Sequence, residues 1–180
     1  MIAMEGSKMS TLRNIRMLMR YTSWANEQLF AAVAALPHGQ ATKMRETVFG
    51  NMVHTLNHVY VIDQIWKAHL CGVKHDFTAR NTESPPSLAN LHEGQTQIDQ
   101  WFISYADALT NEAYDDFVDF EFVDGGRGRM TRGDILLHIA NHTSYHRGFV
   151  ADMFCQVPQR PPAMDLPVFL RDVPLNIENV

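Results

Sequence analysis

Cysteine is scarce: the 180-residue chain holds two, Cys71 and Cys155, with no CxxC spacing. That excludes a disulfide-stapled scaffold and a cysteine-ligated zinc site, and both thiols read as free and buried. No run of about eighteen apolar residues occurs, so no membrane span is expected. A basic stripe is missing as well. With 15 Lys and Arg against 20 Asp and Glu the net charge is −5, which argues against a nucleic-acid partner; Arg127, Arg129 and Arg132 read as a solvated turn. Met1–Lys8 lack the apolar core of a signal peptide and stand apart as an N-terminal extension or expression remnant. The expected location is the cytoplasm. Three catalytic signatures are also absent: His-Glu-x-x-His, inward Glu-x-x-His pairs and a nucleophile elbow.

What is present is a chain 46% hydrophobic, enough for one folded domain that buries roughly two-thirds of its unfolded surface. Four long helical segments are expected. The first runs from Ser10, a candidate N-cap, to Leu36, where Pro37-His38-Gly39 stops it. The second spans Arg45 to Cys71, with Gly72 at C′. Pro85-Pro86-Ser87 opens the third, which continues to Thr110. The fourth starts at Thr131, whose Thr131-Arg132-Gly133-Asp134 has the form of a capping box, and ends near Gln156. Before it, Phe117–Val123 alternates apolar and polar, and Asp124-Gly125 marks a hairpin turn. A proline-rich tail follows Pro158, with Leu166, Val168, Phe169 and Leu170 expected to pack back. The expected fold is all-α: a four-helix bundle with a long crossover, a small β-hairpin before helix four and a C-terminal tail on the bundle.

The fourth helix carries His138, His142 and His146, each four residues from the next, so the imidazoles form a column on one face. Its apolar stripe passes through Ile135, Ile139, Phe149 and Met153; His142 and His146 fall inside it and His138 at its edge, near Tyr145. A buried imidazole without a partner is costly. Two of them on one buried stripe point to a metal, because neutral histidine is the commonest metal ligand near pH 7. Helix two offers His54 and His58 at the same spacing. Its main stripe runs through Val48, Met52, Leu56, Val59, Trp66 and Leu70. His58 lies a quarter-turn from the centre of that stripe and His54 further round, so periodicity favours His58 only slightly.

Leu56-Asn57-His58 through Asp63 to Trp66, then His138-Ile-Ala-Asn141-His142-Thr-Ser-Tyr-His146-Arg147-Gly148, resembles the DinB-like family. Tyr21-Thr-Ser-Trp24-Ala25-Asn26-Glu-Gln-Leu29 resembles that family's first helix. The resemblance covers residues 9–172 as one domain, leaving 1–8 as the extension and 173–180 as a tail. It implies a four-helix bundle, commonly homodimeric, with one divalent ion held by His58, His142 and His146. Where this chain has Tyr145, many relatives carry histidine. His54, His138, Tyr145, Asp63 and Trp24 become candidates for contacts around the ligands or the substrate, with packing as the competing reading for each. Asn141 and Arg147 read as structural.

Three neutral imidazoles leave a divalent ion its full charge and an open position. Zinc lowers the pKa of a bound water to about 7, and a thiolate can occupy the same position. Metal-dependent hydrolysis and thiol-dependent transfer are therefore both compatible with the residues. The resemblance implies the second, with a small-molecule substrate and a low-molecular-weight thiol. The rival class is a non-catalytic, stress-related metal-binding bundle. Zinc and nickel lead, while iron and manganese also suit imidazole ligation.

Overall fold

The computed structural model describes residues 2–157 and 159–174, with side chains from residue 11. Its order is α1 (Ile2–Ala34), α2 (Met52–Leu70), α3 (Leu88–Ala108), α4 (Asn111–Tyr114), β1 (Phe117–Glu121), β2 (Arg127–Thr131), α5 (Arg132–Met153), a 3₁₀ turn (Phe154–Gln156) and α6 (Leu166–Asp172). The four long helices close into a ring in which α1 and α2 each pack against α3 and α5. The chain is thus all-α with one two-stranded antiparallel hairpin. No helix among the described residues is long and apolar enough to cross a membrane. The part of the expected tail from residue 175 onward lies outside the described residues.

Three boundaries are set by caps. Thr131 accepts from the Asp134 amide while the Asp134 carboxylate accepts from the Thr131 amide, which makes the expected capping box. Ser87 caps α3 through the Asn90 amide. After α2, Gly72 at φ +67° donates to the His69 carbonyl and Val73 to that of Ala68, the paired bonds of a Schellman stop.

Two starts differ from expectation. α1 passes through Ser10, because Ile2–Met9 holds mostly good helix formers and no proline, and a serine caps only where the chain before it leaves helical geometry. α2 begins at Met52, seven residues after Arg45. Gly50 turns at φ +75°, and extended Asn51 accepts from the His54 amide as the true N-cap. Residues 44–51 form a compact turn, in which buried Arg45 donates to the carbonyls of Gln40 and Lys43. Val48 is therefore 78% exposed and lies on no helical stripe. The two thiols also differ: Cys71 and Cys155 are free but exposed, one at the end of α2 and the other in the 3₁₀ turn.

One apolar cluster gathers Ile15, Trp66, Phe102 and Ile135 beside the hairpin, and a second gathers Phe30, Leu56, Leu91 and Phe154 at the other end. Among the described residues of the tail, only Phe169 is fully buried; it packs on Tyr21 and Trp24, whereas Leu170 is half exposed.

Candidate metal centre

Packing α2 against α5 brings His58, His142 and His146 together, with one ring nitrogen of each within 4.8 Å of the others. The Nε2 atoms of His58 and His142 are 3.2 Å apart. Two nitrogens that each sit about 2.0–2.1 Å from one tetrahedral zinc lie about 3.3 Å from each other. His58 is held by its other nitrogen, because Nδ1 meets the Arg80 carbonyl at 2.8 Å. Donation from Nδ1–H leaves the lone pair on Nε2, the nitrogen that faces His142. The loop bearing Arg80 is itself anchored by buried Asn57: the Thr82 hydroxyl donates to its Oδ1, and its amide donates to Asn81.

The α5 imidazoles are oriented by packing instead, since Nδ1 of both His142 and His146 is buried without a hydrogen-bond partner. Their ring centroids are 4.4 Å apart, and Phe49 stacks on His58 at 4.5 Å and meets His146 edge-on at 5.4 Å. Burial, reinforced by the neighbouring imidazoles, pushes the pKa of His142 down to about 2 and that of His146 to about 4. Burial lowers His58 too, against the raising effect of its bond to Arg80. All three rings are therefore neutral at pH 7 with lone pairs available. A set of three imidazoles, with no carboxylate or thiolate among them, suits a borderline divalent ion and leaves its identity open.

The other candidates are scattered around this core. His138 is half-buried, 5.4 Å from His142 and 5.0 Å from Trp66 by ring centroids, and it lines a cavity beside the three-histidine group. Tyr145 is 63% exposed and meets His146 edge-on at 5.1 Å. The His54 amide serves the α2 cap, and its side chain is outside the three-histidine group. Trp24 packs on Phe169 and does not line the cavity. His142 is half-buried rather than central to its helix's covered stripe, because its ring faces that cavity.

Asp63 is fully buried in a polar network that the sequence did not suggest. Gln95 Nε2 donates to both Asp63 and Asp99 at 2.8 and 2.9 Å, and the Asn26 amide donates to Asp99 at 2.9 Å. Arg147 donates to Asn26 Oδ1 at 3.0 Å and to the Ser144 hydroxyl at 2.8 Å. One side chain or more from each of α1, α2, α3 and α5 thus meets in the core, with Arg147 next in sequence to His146. Burial raises the pKa of Asp63 well above the carboxylate range, helped by the nearby Asp99, and raises that of Asp99 to about 6. The signal was available, because Gln95 and Asp99 interrupt the buried stripe of Leu91, Ile98 and Phe102 on α3. Phe49 gave no such signal, since it sits in a turn without periodicity.

The model of the DinB family matches residues 9–175 of this chain. Among curated proteins, Protein DinB of Bacillus subtilis (strain 168) is similar, with 24% identity over 164 residues that cover 85% of this chain and 91% of the relative.

Proposed function

The chain belongs to the DinB family, and on that premise we propose that it is a metal-dependent enzyme, a thiol-dependent transferase acting on a small molecule. The observation that carries the reading is that three neutral imidazoles converge on one point, with a cavity of about 360 Å³ on one side lined by two of them, His58 and His142. A site meant only for stability is closed by protein, whereas a catalytic one keeps a face open.

A divalent ion held by His58, His142 and His146 would supply charge that favours the ionised form of a water or thiol presented from the cavity. The residues provide the rest. Arg80 fixes the His58 ring through its carbonyl, and Phe49 covers the outer side of the rings of His58 and His146. His138 presents a neutral imidazole to the cavity beside His142, since burial lowers its pKa. A low-molecular-weight thiol as cosubstrate and a homodimer are supported by the family resemblance, zinc or nickel as the ion by the all-imidazole ligand set, and a cytoplasmic location by the sequence alone.

Metal analysis of purified protein is expected to find about one divalent ion per chain, and His142→Ala or His146→Ala to lose it; full occupancy in both variants would refute the assignment. For the reaction class, the metal-loaded protein is to be screened by thermal shift against glutathione, bacillithiol and mycothiol. Stabilisation by one of them is expected, and a flat response to all three removes the thiol reading in favour of hydrolysis or simple metal binding.

A further inference from the structure

The walls of the cavity beside the metal centre are rings. Trp66 meets His138 edge-on at 5.0 Å and Phe120 at 4.8 Å, and Phe120 meets Phe122 edge-on at 5.0 Å. His138 stands next to His142, so aromatic surface continues from the ligands to the hairpin. Phe122 lines this space with 45% of its surface still exposed, so its ring is open to a ligand there. A second groove of about 590 Å³ shares His69, Phe120, Phe122 and Val123 with this cleft. The charged side chains on the inner cavity, Arg80 and Glu121, are both exposed to solvent, which screens them, and the deeper wall is made of rings with Ile62 and Ile65. The body of the space therefore has no charge preference. At about 360 Å³ it sits near the small end of ligand pockets, which run from about 300 to 1,000 Å³.

We propose that the small-molecule substrate carries an uncharged aromatic group of one or two rings, seated among Trp66, Phe120 and Phe122 with its reacting end toward His58 and His142. This rests on the reading of those histidines as the reacting centre. Ring walls discriminate a ring from a flexible chain of similar hydrophobicity, because edge-to-face and offset-stacked pairs add to area burial and two such pairs amount to about tenfold in affinity.

The test compares 2-naphthol with heptan-1-ol, two neutral alcohols of similar hydrophobicity, titrated into zinc-loaded protein and followed by the indole N–H resonances of Trp66 and the two other tryptophans. The expected result is that 2-naphthol moves the Trp66 signal and binds about tenfold more tightly than heptan-1-ol. Phe122→Ala is expected to weaken 2-naphthol about threefold, and its exposure leaves the fold intact. Equal binding of the two alcohols, an unmoved Trp66 signal, or unchanged affinity in Phe122→Ala overturns the inference. Repeating the titration after chelation separates it from the metal reading. Ring binding that persists in a protein found to hold no ion at the three histidines sinks the metal centre alone, while an occupied centre without ring preference sinks this inference alone.

Discussion

Asp99→Asn probes the buried network through the pH dependence of stability. Asp99 is 4% exposed and accepts from Asn26 and Gln95. Burial raises its pKa from 3.8 to about 6, with the two amides and the Arg147 charge pulling the other way. At 1.36 kcal/mol per decade, that difference corresponds to about 3 kcal/mol. A carboxyl with a raised pKa in the folded state contributes stability that is fully present below its unfolded value, 3.8, and lost as the pH rises through about 6. The histidines act in the opposite sense: His142 and His146, depressed to about 2 and 4, contribute above the unfolded value of 6.5 and lose that contribution as the pH falls. Their effect is common to wild type and variant and cancels in the difference. Asparagine puts an amide NH2 where one of the two donors, Asn26 or Gln95, now finds an oxygen, so the variant starts less stable at pH 4; the readout is the slope. Urea unfolding of chelated protein at steps from pH 4 to 7 gives both curves. Relative to wild type, Asp99→Asn is expected to gain roughly 2–3 kcal/mol across that window, since part of the change falls below pH 4. Parallel curves would refute the claim that the buried carboxyl is held protonated into the mildly acidic range.

Other perturbations address the site and its scaffold. Phe49→Ala removes the ring stacked on His58 and edge-on to His146; at about 0.5–1.5 kcal/mol per aromatic pair, zinc affinity measured by competition with a chelator is expected to fall by about three- to tenfold or more. Gly133→Ala places a Cβ inside the ring of Tyr114 at the first turn of α5, and about 1–3 kcal/mol of destabilisation is expected by denaturant titration; an unchanged midpoint would show that α4 yields freely. Because burial disfavours protonation of all three imidazoles, metal retention followed by dialysis at stepped pH is expected to persist below pH 6.5, the ordinary histidine value; half-loss at or above it would contradict the burial of the rings.

The parts of the fold that the sequence disclosed are those written in short-range chemistry. Thr131 and Asp134 announce the start of α5 within one turn, Gly72 ends α2, and Asp124-Gly125 reverses the hairpin. The column of histidines was visible because polar residues on an apolar stripe demand a partner. The same reasoning applied to α3 would have found Gln95 and Asp99. What stayed hidden depends on contacts between distant segments. Phe49 reaches His58 only because Gly50 and Asn51 delay α2, and Phe120 and Phe122 wall the cavity only because the hairpin folds over α2. Periodicity left His54 and His58 nearly equal, and what separates them is the side of α2 that α5 covers: His58 is buried there in the three-histidine group and His54 is left half-exposed.

The carbonyl of Arg80 that receives His58 belongs to the main chain, so every residue type at position 80 carries it. The side chain of the same residue reaches the other way, to Asp124 at the tip of the hairpin. Position 80 is therefore a lever with a fixed arm on the imidazole and an exchangeable arm on the cavity wall. A substitution there changes how firmly the wall is latched while the acceptor for His58 stays in kind. Displacing the hairpin tip pulls on the backbone that sets the ring. Comparing sequences at this position would report only the latch, although the hold on the imidazole is the more consequential of the two.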